Sequence, residues 1–179
     1  MSSALHRLCL LRHAEARTVP GLPDHERPLS EFGEETALQA GQWLADTHIQ
    51  PDMAIVSTAR RTRATWEAVQ KRLPTFAPAV FEKRIYESTP DNILESIQYT
   101  AQAHRCLLVV GHNPGLHQLA LQLIEQADQN SLARLNQEFP PGSLVVIDFP
   151  GLPDWERVDR QGGVLYRYVT PADYRPDGR

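Results

Sequence analysis

The sequence contains little that would direct it to a membrane, an export pathway or a nucleic acid. No apolar stretch approaches the roughly 18 residues that span a bilayer, and residues 1–7 lack the long apolar region of a secretion signal. The net charge of −4 lacks the basic excess typical of proteins that bind nucleic acids or anionic membranes. We therefore expect a cytoplasmic protein that has neither a membrane partner nor a nucleic-acid partner.

Cysteines and metal-binding motifs are also scarce. The two cysteines, Cys9 and Cys106, each fall in a predicted buried strand, so they could pair only if those strands were suitably placed neighbours. We expect free buried thiols instead. No HxH, HExxH or cysteine-pair spacing is present, and nearby arginines would repel a cation from the acidic and histidine side chains that could otherwise assemble a site: His13, His112, Asp24 and Glu87. No metal and no cofactor are expected.

Apolar runs alternate with amphipathic segments along most of the chain. Strands are predicted for five runs and a weaker sixth: Leu8–Leu11, Met53–Val56, Cys106–Val110, Ser143–Phe149, Val164–Val169 and, weakly, Val80–Tyr86. Helices are predicted between them: Glu34–Asp46, Thr62–Leu73, Asp91–Ala103 and Leu116–Gln126.

This alternation predicts a three-layer α/β/α sandwich around a mostly parallel sheet of about six strands. No strong helix separates the last two predicted strands, which suggests an antiparallel edge there. The length of 179 residues suits one domain, which we expect over 1–170. Proline and glycine near the end predict a loose C-terminal tail over 171–179.

Polar side chains follow four of the predicted strands at the point where each strand ends. If those strands are parallel, all four groups meet at the carboxyl edge of the sheet, where ligands bind in open α/β folds. Two arginines can hold the charged oxygens of a transferring phosphoryl group, and a histidine can act as its nucleophile. The four groups are Arg12-His13, the run Ser57–Thr65, Tyr86-Glu87-Ser88 and Gly111–Gly115.

These motifs resemble those of the histidine phosphatase superfamily, which includes the cofactor-dependent phosphoglycerate mutases, and among its members the short SixA-type phosphohistidine phosphatases. The resemblance spans roughly residues 7 to 120 and rests on four motifs in the family's order: Leu10-Leu11-Arg12-His13-Ala14-Glu15, Arg27-Pro28-Leu29-Ser30-Glu31-Phe32-Gly33, Ser57–Thr65 and Val110–Gly115. It implies the family's α/β fold and a metal-independent phosphatase.

The resemblance also implies roles for individual residues. His13 matches the nucleophile, Arg12 the first phosphate clamp and His112 the second histidine, which contacts the phosphoryl oxygens. The second clamp lies four residues after the motif's serine, which selects Arg61; Arg60 is the alternative.

Three further positions keep two interpretations each. Ser57 either donates to the phosphate or caps the following helix. Asn113 either offers its amide to the substrate or sets the turn. Glu87 lies where larger family members keep a proton-donating carboxylate, although SixA-type members are less consistent there, and it is either that donor or an exposed charge.

The resulting hypothesis is a phosphatase that works through a phosphohistidine intermediate on His13. Two candidate lids, Arg17–Pro28 and Asp128–Pro141, are short, and an open site favours protein phosphohistidine as the substrate. One alternative is a phosphatase of small phosphorylated metabolites. Another, of a different class, is a phosphate-binding or phosphocarrier module that does not hydrolyse the intermediate. His25, in the loop 23–27, either overhangs the site and touches the substrate or, the interpretation we favour, is a solvated loop residue.

Overall fold

One seven-stranded sheet forms the centre of the computed structural model, which describes residues 5–100 and 102–175. In spatial order its strands run β3-β2-β4-β1-β6-β7-β5. Their bounds are β1 His6–Arg12, β2 Met53–Ser57, β3 Ala79–Glu82, β4 Cys106–Gly111, β5 Ile124–Gln126, β6 Leu144–Phe149 and β7 Gly163–Val169.

The sheet is mostly parallel, as predicted. The β3–β2, β2–β4 and β4–β1 pairs are parallel, and so is the β7–β5 pair. Strand β6 runs antiparallel to both of its neighbours, β1 and β7. Antiparallel pairing therefore occupies the half of the sheet that contains the last two long strands.

Five α-helices within the described residues cover the two faces of this sheet. Alternate residues of β1 enter different cores: Leu8 and Leu10 pack with the apolar residues of α3 and α4, whereas Cys9 and Leu11 pack with those of α1 and α2. The result is the expected three-layer arrangement. The helices are α1 Glu31–Asp46, α2 Arg60–Gln70, α3 Pro90–Gln98, α4 Gly115–Leu123 and α5 Gln129–Gln137.

Local signals account for where several helices begin. The Ser30 hydroxyl accepts from the Gly33 amide at the start of α1, and the Thr89 hydroxyl accepts from the Asn92 amide at the start of α3, just before Pro90. The Asp128 carboxylate caps α5 in the same way.

Three predicted helices end earlier in the structure than their apolar rhythm suggested, among them the helix predicted over Thr62–Leu73, which ends at Gln70. The helix predicted over Leu116–Gln126 was wrong in its last three residues, which form β5 beside β7. A Cβ on Gly163 would lie 2.7 Å from the Leu123 carbonyl oxygen, so the missing side chain allows this close approach. The helix predicted to reach Ala103 ends at Gln98. Helix α5 and strand β5 were not predicted.

The two cysteines lie on adjacent strands, β1 and β4, and both are free thiols. Of the predicted tail, residues 176–179 lie outside the described part of the chain. Within 171–175, Tyr174 packs against the core and its hydroxyl donates to the Gly142 carbonyl at 2.9 Å. A domain boundary at residue 170 stays a prediction. None of the five described helices has the length and apolar content of a transmembrane span.

Candidate active site

Three adjacent parallel strands end at one place on the carboxyl edge of the sheet. Strand β1 ends at Arg12 and is followed by His13, β2 ends at Ser57, and β4 is followed by His112. Since β2, β4 and β1 are neighbours in that order, these side chains converge, and the rings of His13 and His112 lie 5.2 Å apart between centroids. The structure thus brings together the residues that the sequence placed at separate strand ends.

His13 carries a nitrogen that is free to act as a nucleophile. Its side chain is buried, with 9% exposed, and its Nδ1 lies 2.8 Å from the Ala14 carbonyl oxygen. A carbonyl can only accept, so Nδ1 carries the proton and Nε2 keeps its lone pair. Burial, together with the positive charges of Arg61 and Arg12, lowers the pKa of His13 to about 4. The ring is therefore neutral at pH 7.

His112 has the opposite hydrogen-bonding arrangement. The Arg61 guanidinium donates from Nη2 to Nδ1 at 3.4 Å, so the proton resides on Nε2, which donates to the Ser57 hydroxyl at 2.7 Å. Burial and the neighbouring His13 and Arg61 lower the pKa of His112 to about 3. Because Ser57 Oγ accepts from His112, its own proton is available for an anion in the site.

Arg12 contributes an unmatched donor. Its Nη1 donates to the Phe139 carbonyl at 3.0 Å, the only hydrogen bond of this side chain within the described residues. Its Nε is buried without a partner, and burial lowers the pKa of the guanidinium. A buried, unsatisfied donor on a cation is costly unless a ligand completes it.

Arg61 is the member of the arginine run that enters the site. Its side chain is 4% exposed, whereas Arg60 and Arg63 lie on the exposed face of α2. Its Nη1 and Nη2 donate to the carbonyl and carboxylate oxygens of Asp24 at 2.8 and 3.1 Å. Its Nε, like that of Arg12, is buried and unpartnered. Two guanidinium groups with free Nε donors favour an anion between them.

Ser57, Asn113 and Glu87, for which the sequence left two interpretations each, differ in burial and in their hydrogen-bond partners. Ser57 is fully buried and accepts from the Ala59 amide at 3.5 Å as well as from His112. The Asn113 amide donates to the Phe139 carbonyl at 2.9 Å and so holds the loop, while its Oδ1 is buried and unpartnered. Glu87 is 58% exposed, with Oε1 3.9 Å from Arg61 Nη2.

Sequence reasoning missed a polar cluster at the mouth of the site. The Tyr86 hydroxyl donates to Asp24 Oδ2 at 2.6 Å, and its ring stands edge-on to His112 and His25 at 5.3 and 4.9 Å between centroids. His25 Nε2 lies 3.0 Å from Thr58 Oγ1, so this histidine is tied to the rim of the site. These contacts join segments that are distant along the chain, and no local pattern signals them.

No group of three or more histidine, cysteine or acidic side chains within the described residues is arranged to hold a metal ion. The charges that act on His13 come instead from guanidinium groups, those of Arg61, Arg12 and Arg27, which attract an anion. The arrangement suits covalent transfer of a phosphoryl group to His13.

Comparison with known proteins agrees with this chemistry. An uncharacterised protein of Mycobacterium tuberculosis is 31% identical over 163 residues, which cover 90% of this chain and 99% of that protein. The sequence profile described as histidine phosphatase superfamily (branch 1) matches residues 8–90. The chain belongs to the histidine phosphatase superfamily.

Solved structures similar to this histidine phosphatase extend the agreement over nearly the whole chain. A proposed phosphohistidine phosphatase SixA from Nakamurella multipartitia has a TM-score of 0.83 at 28% identity and covers 96% of this chain and 99% of its own. A second such protein, from Agrobacterium tumefaciens, has a TM-score of 0.77 at 28% identity, covering 93% and 98%. This histidine phosphatase is an enzyme, a phosphatase, with the fold of those proteins.

Proposed function

We propose that this histidine phosphatase removes the phosphoryl group from phosphohistidine on proteins, through a covalent intermediate on His13. One observation carries the proposal: the lone pair of a neutral, buried imidazole lies beside two guanidinium groups whose Nε donors have no partner. A neutral nucleophile and preorganised donors for three phosphoryl oxygens are the two requirements of phosphoryl transfer without a metal.

In the first step, His13 Nε2 attacks phosphorus and the bond from phosphorus to the leaving group breaks. Arg12, Arg61 and the Ser57 hydroxyl stabilise the charge on the equatorial oxygens, and His112 orients that hydroxyl. In the second step, water attacks the phosphoryl group on His13, the P–N bond breaks, and phosphate leaves as Nε2 recovers its lone pair.

The leaving group needs a proton, and we assign its delivery to Glu87 or to water. The Glu87 carboxyl group lies at the mouth, 58% exposed and beside Arg61. An imidazole departs more readily than an alkoxide, so a phosphohistidine substrate needs only a weakly positioned acid. An exposed carboxyl group therefore suits phosphohistidine better than an alkyl phosphate.

Two features support a protein substrate. The 17–28 loop and the 128–141 segment are both short, which favours a site that admits a side chain presented by a macromolecule. The two structural relatives at 28% identity are described as proposed phosphohistidine phosphatases. A cytoplasmic location for this reaction stays a prediction from the sequence.

The test is a comparison of substrates with one variant as control. A protein phosphorylated on histidine and a panel of sugar, nucleotide and glycolytic phosphates are each treated with the wild-type chain and with His13→Ala. We expect the highest kcat/KM on the phosphohistidine protein, and acid-labile, base-stable phosphate on wild-type His13 in a rapid quench. Faster turnover of one small phosphate would favour the metabolite alternative. Label that stays on His13 would favour a phosphocarrier.

A further inference from the structure

Both terminal nitrogens of the Arg61 guanidinium bind one residue, Asp24. Arg61 Nη1 donates to the Asp24 carbonyl oxygen at 2.8 Å and Nη2 donates to carboxylate Oδ2 at 3.1 Å. Only Nε lacks a partner. The protein thus places its own anion on the arginine that a phosphoryl group needs.

Asp24 is held in this position from two other sides. The Tyr86 hydroxyl donates to Oδ2 at 2.6 Å, and Arg27 Nη1 donates to Oδ1 at 3.2 Å. These bonds, with that from Arg61, keep the pKa of the Asp24 carboxyl group well below its usual range, so it is ionised at neutral pH. It lies on the 3-10 turn Asp24–Glu26, which His25 ties to Thr58.

A carboxylate presents two oxygens to a guanidinium with the geometry that a phosphoryl group also uses. When both anions share Arg61, they compete for the same donors and, at such close range, repel each other. Binding that is equally strong for substrate, transition state and product does not speed the chemical step, and a clamp of two unopposed arginines would retain inorganic phosphate.

We propose that Asp24 sets the phosphate affinity of the site, by competing with the phosphoryl group for Arg61 and so promoting release of inorganic phosphate. The proposal rests on the proposed function only in placing the phosphoryl group against Arg61. A purely positioning role, in which Asp24 holds Arg61 ready for the phosphate, makes the opposite prediction. In that case, loss of the Asp24 charge would weaken phosphate binding.

The test is calorimetric titration of the full chain with inorganic phosphate. Asp24→Asn removes the competing charge with little change of shape, and we expect the Kd for phosphate to fall roughly tenfold, the effect of one charge-assisted hydrogen bond. The product-inhibition constant should fall in parallel. Glu26→Gln is the matched control: its carboxylate, 48% exposed, is on the same turn but bonds to His25, 3.0 Å away. We expect its Kd to stay within about twofold of wild type.

An unchanged or higher Kd in Asp24→Asn would overturn the proposal. A double-mutant cycle with Arg61→Ala tests the mechanism, because the effect of Asp24→Asn should disappear when the shared arginine is absent. An equal tightening in that background would show a general charge effect and would also overturn it. The same titrations in a His13→Ala background measure the effect of Asp24→Asn on the phosphate Kd without turnover. A failure of the proposed reaction can therefore be distinguished from a failure of the proposed role of Asp24.

Discussion

The same two residue types lie at both ends of strand β1 in mirrored order, His6-Arg7 at its start and Arg12 with the following His13 at its end, and the two pairs have different roles. At its start, His6 is fully buried edge-on against Trp155, with ring centroids 5.0 Å apart. Arg7 beside it binds both oxygens of Asp148, at 2.6 and 2.8 Å. At its end, Arg12 has no carboxylate partner in the described part of the chain, and His13 keeps a free Nε2.

The difference shows that residue type alone does not identify a catalytic pair. The His6-Arg7 end satisfies its own hydrogen-bonding groups and so contributes to the stability of the fold. The Arg12-His13 end leaves a donor and a lone pair unmatched inside the protein, which costs stability and is recovered only when a ligand binds. Substitutions at the two ends should therefore separate activity from stability.

The largest expected effect is at the two histidines. His13→Ala removes the nucleophile, and we expect kcat to fall at least about a thousandfold with an unchanged melting temperature. His6→Ala should leave kcat within about twofold while lowering the free energy of unfolding by about 1–3 kcal/mol, because it removes a ring that packs on Trp155 and lies 3.0 Å from Arg105 Nη1. Steady-state assays and urea unfolding check both. A His13→Ala variant that keeps a tenth of the wild-type rate would contradict the comparison.

The two arginines should separate in the same way with a smaller effect. Arg12→Lys keeps the charge but loses the planar fork and its Nε donor, so we expect kcat/KM to fall about 100-fold with stability near wild type. Arg7→Lys loses the two-point bond to Asp148, and we expect the free energy of unfolding to fall by about 1–2 kcal/mol with normal kinetics. An equal loss of kcat/KM in Arg12→Lys and Arg7→Lys would contradict the assignment of a catalytic role to Arg12 and a structural role to Arg7.

Acid should destabilise the catalytic end. Burial lowers the pKa of His13 to about 4 in the folded chain, against 6.5 for an ordinary histidine. Between these values the unfolded chain binds more protons than the folded one, so the free energy of unfolding falls as pH drops from about 6.5 to about 4. One such histidine accounts for about 2 kcal/mol between pH 7 and pH 4.5. Urea unfolding checks this: between pH 7 and pH 4.5, the free energy of unfolding of His13→Asn should fall by about 2 kcal/mol less than that of wild type.

Treatment with a chelator should have the smallest effect, because we expect it to leave kcat unchanged. The charges around His13 come from guanidinium groups of the chain itself, so phosphoryl transfer there needs no cation. Assays before and after dialysis against EDTA should give the same kcat. Loss of activity that Mg²⁺ or Zn²⁺ restores would argue against the assignment of Arg12 and Arg61 as the clamp.

Much of this arrangement follows from patterns within short segments. Apolar runs located the long strands, and the parallel topology, once inferred, predicted that their polar ends would meet. The resemblance to the histidine phosphatases, whose clamp follows the motif's serine by four residues, selected Arg61 within a run of arginines, and Arg60 and Arg63 lie exposed. Each of these signals lies within a short segment, so it can be recognised from the sequence alone.

The features that were not predicted depend on contacts between distant segments. Strand β5 interrupts an apolar rhythm of helical period because residues 124–126 pair with β7, almost 40 residues later. The bond from Tyr86 to Asp24 crosses 62 residues. For helix α5, the capping Asp128 was a local signal that reasoning from apolar periodicity overlooked.

The Phe139 carbonyl accepts hydrogen bonds from the side chains of Arg12 and Asn113. The residues that follow it also form hydrogen bonds with the backbone of Arg12 and His13. The Gly142 amide donates to the His13 carbonyl at 2.9 Å, and the Arg12 amide donates to the Ser143 carbonyl at 3.0 Å. Main-chain groups survive any exchange of side chain except one to proline. This stretch is therefore constrained in length, because one inserted or deleted residue would shift every one of these bonds. At Gly142 it is also constrained in composition, because φ there is +84° and a Cβ would lie 2.6 Å from Thr36 Cγ2.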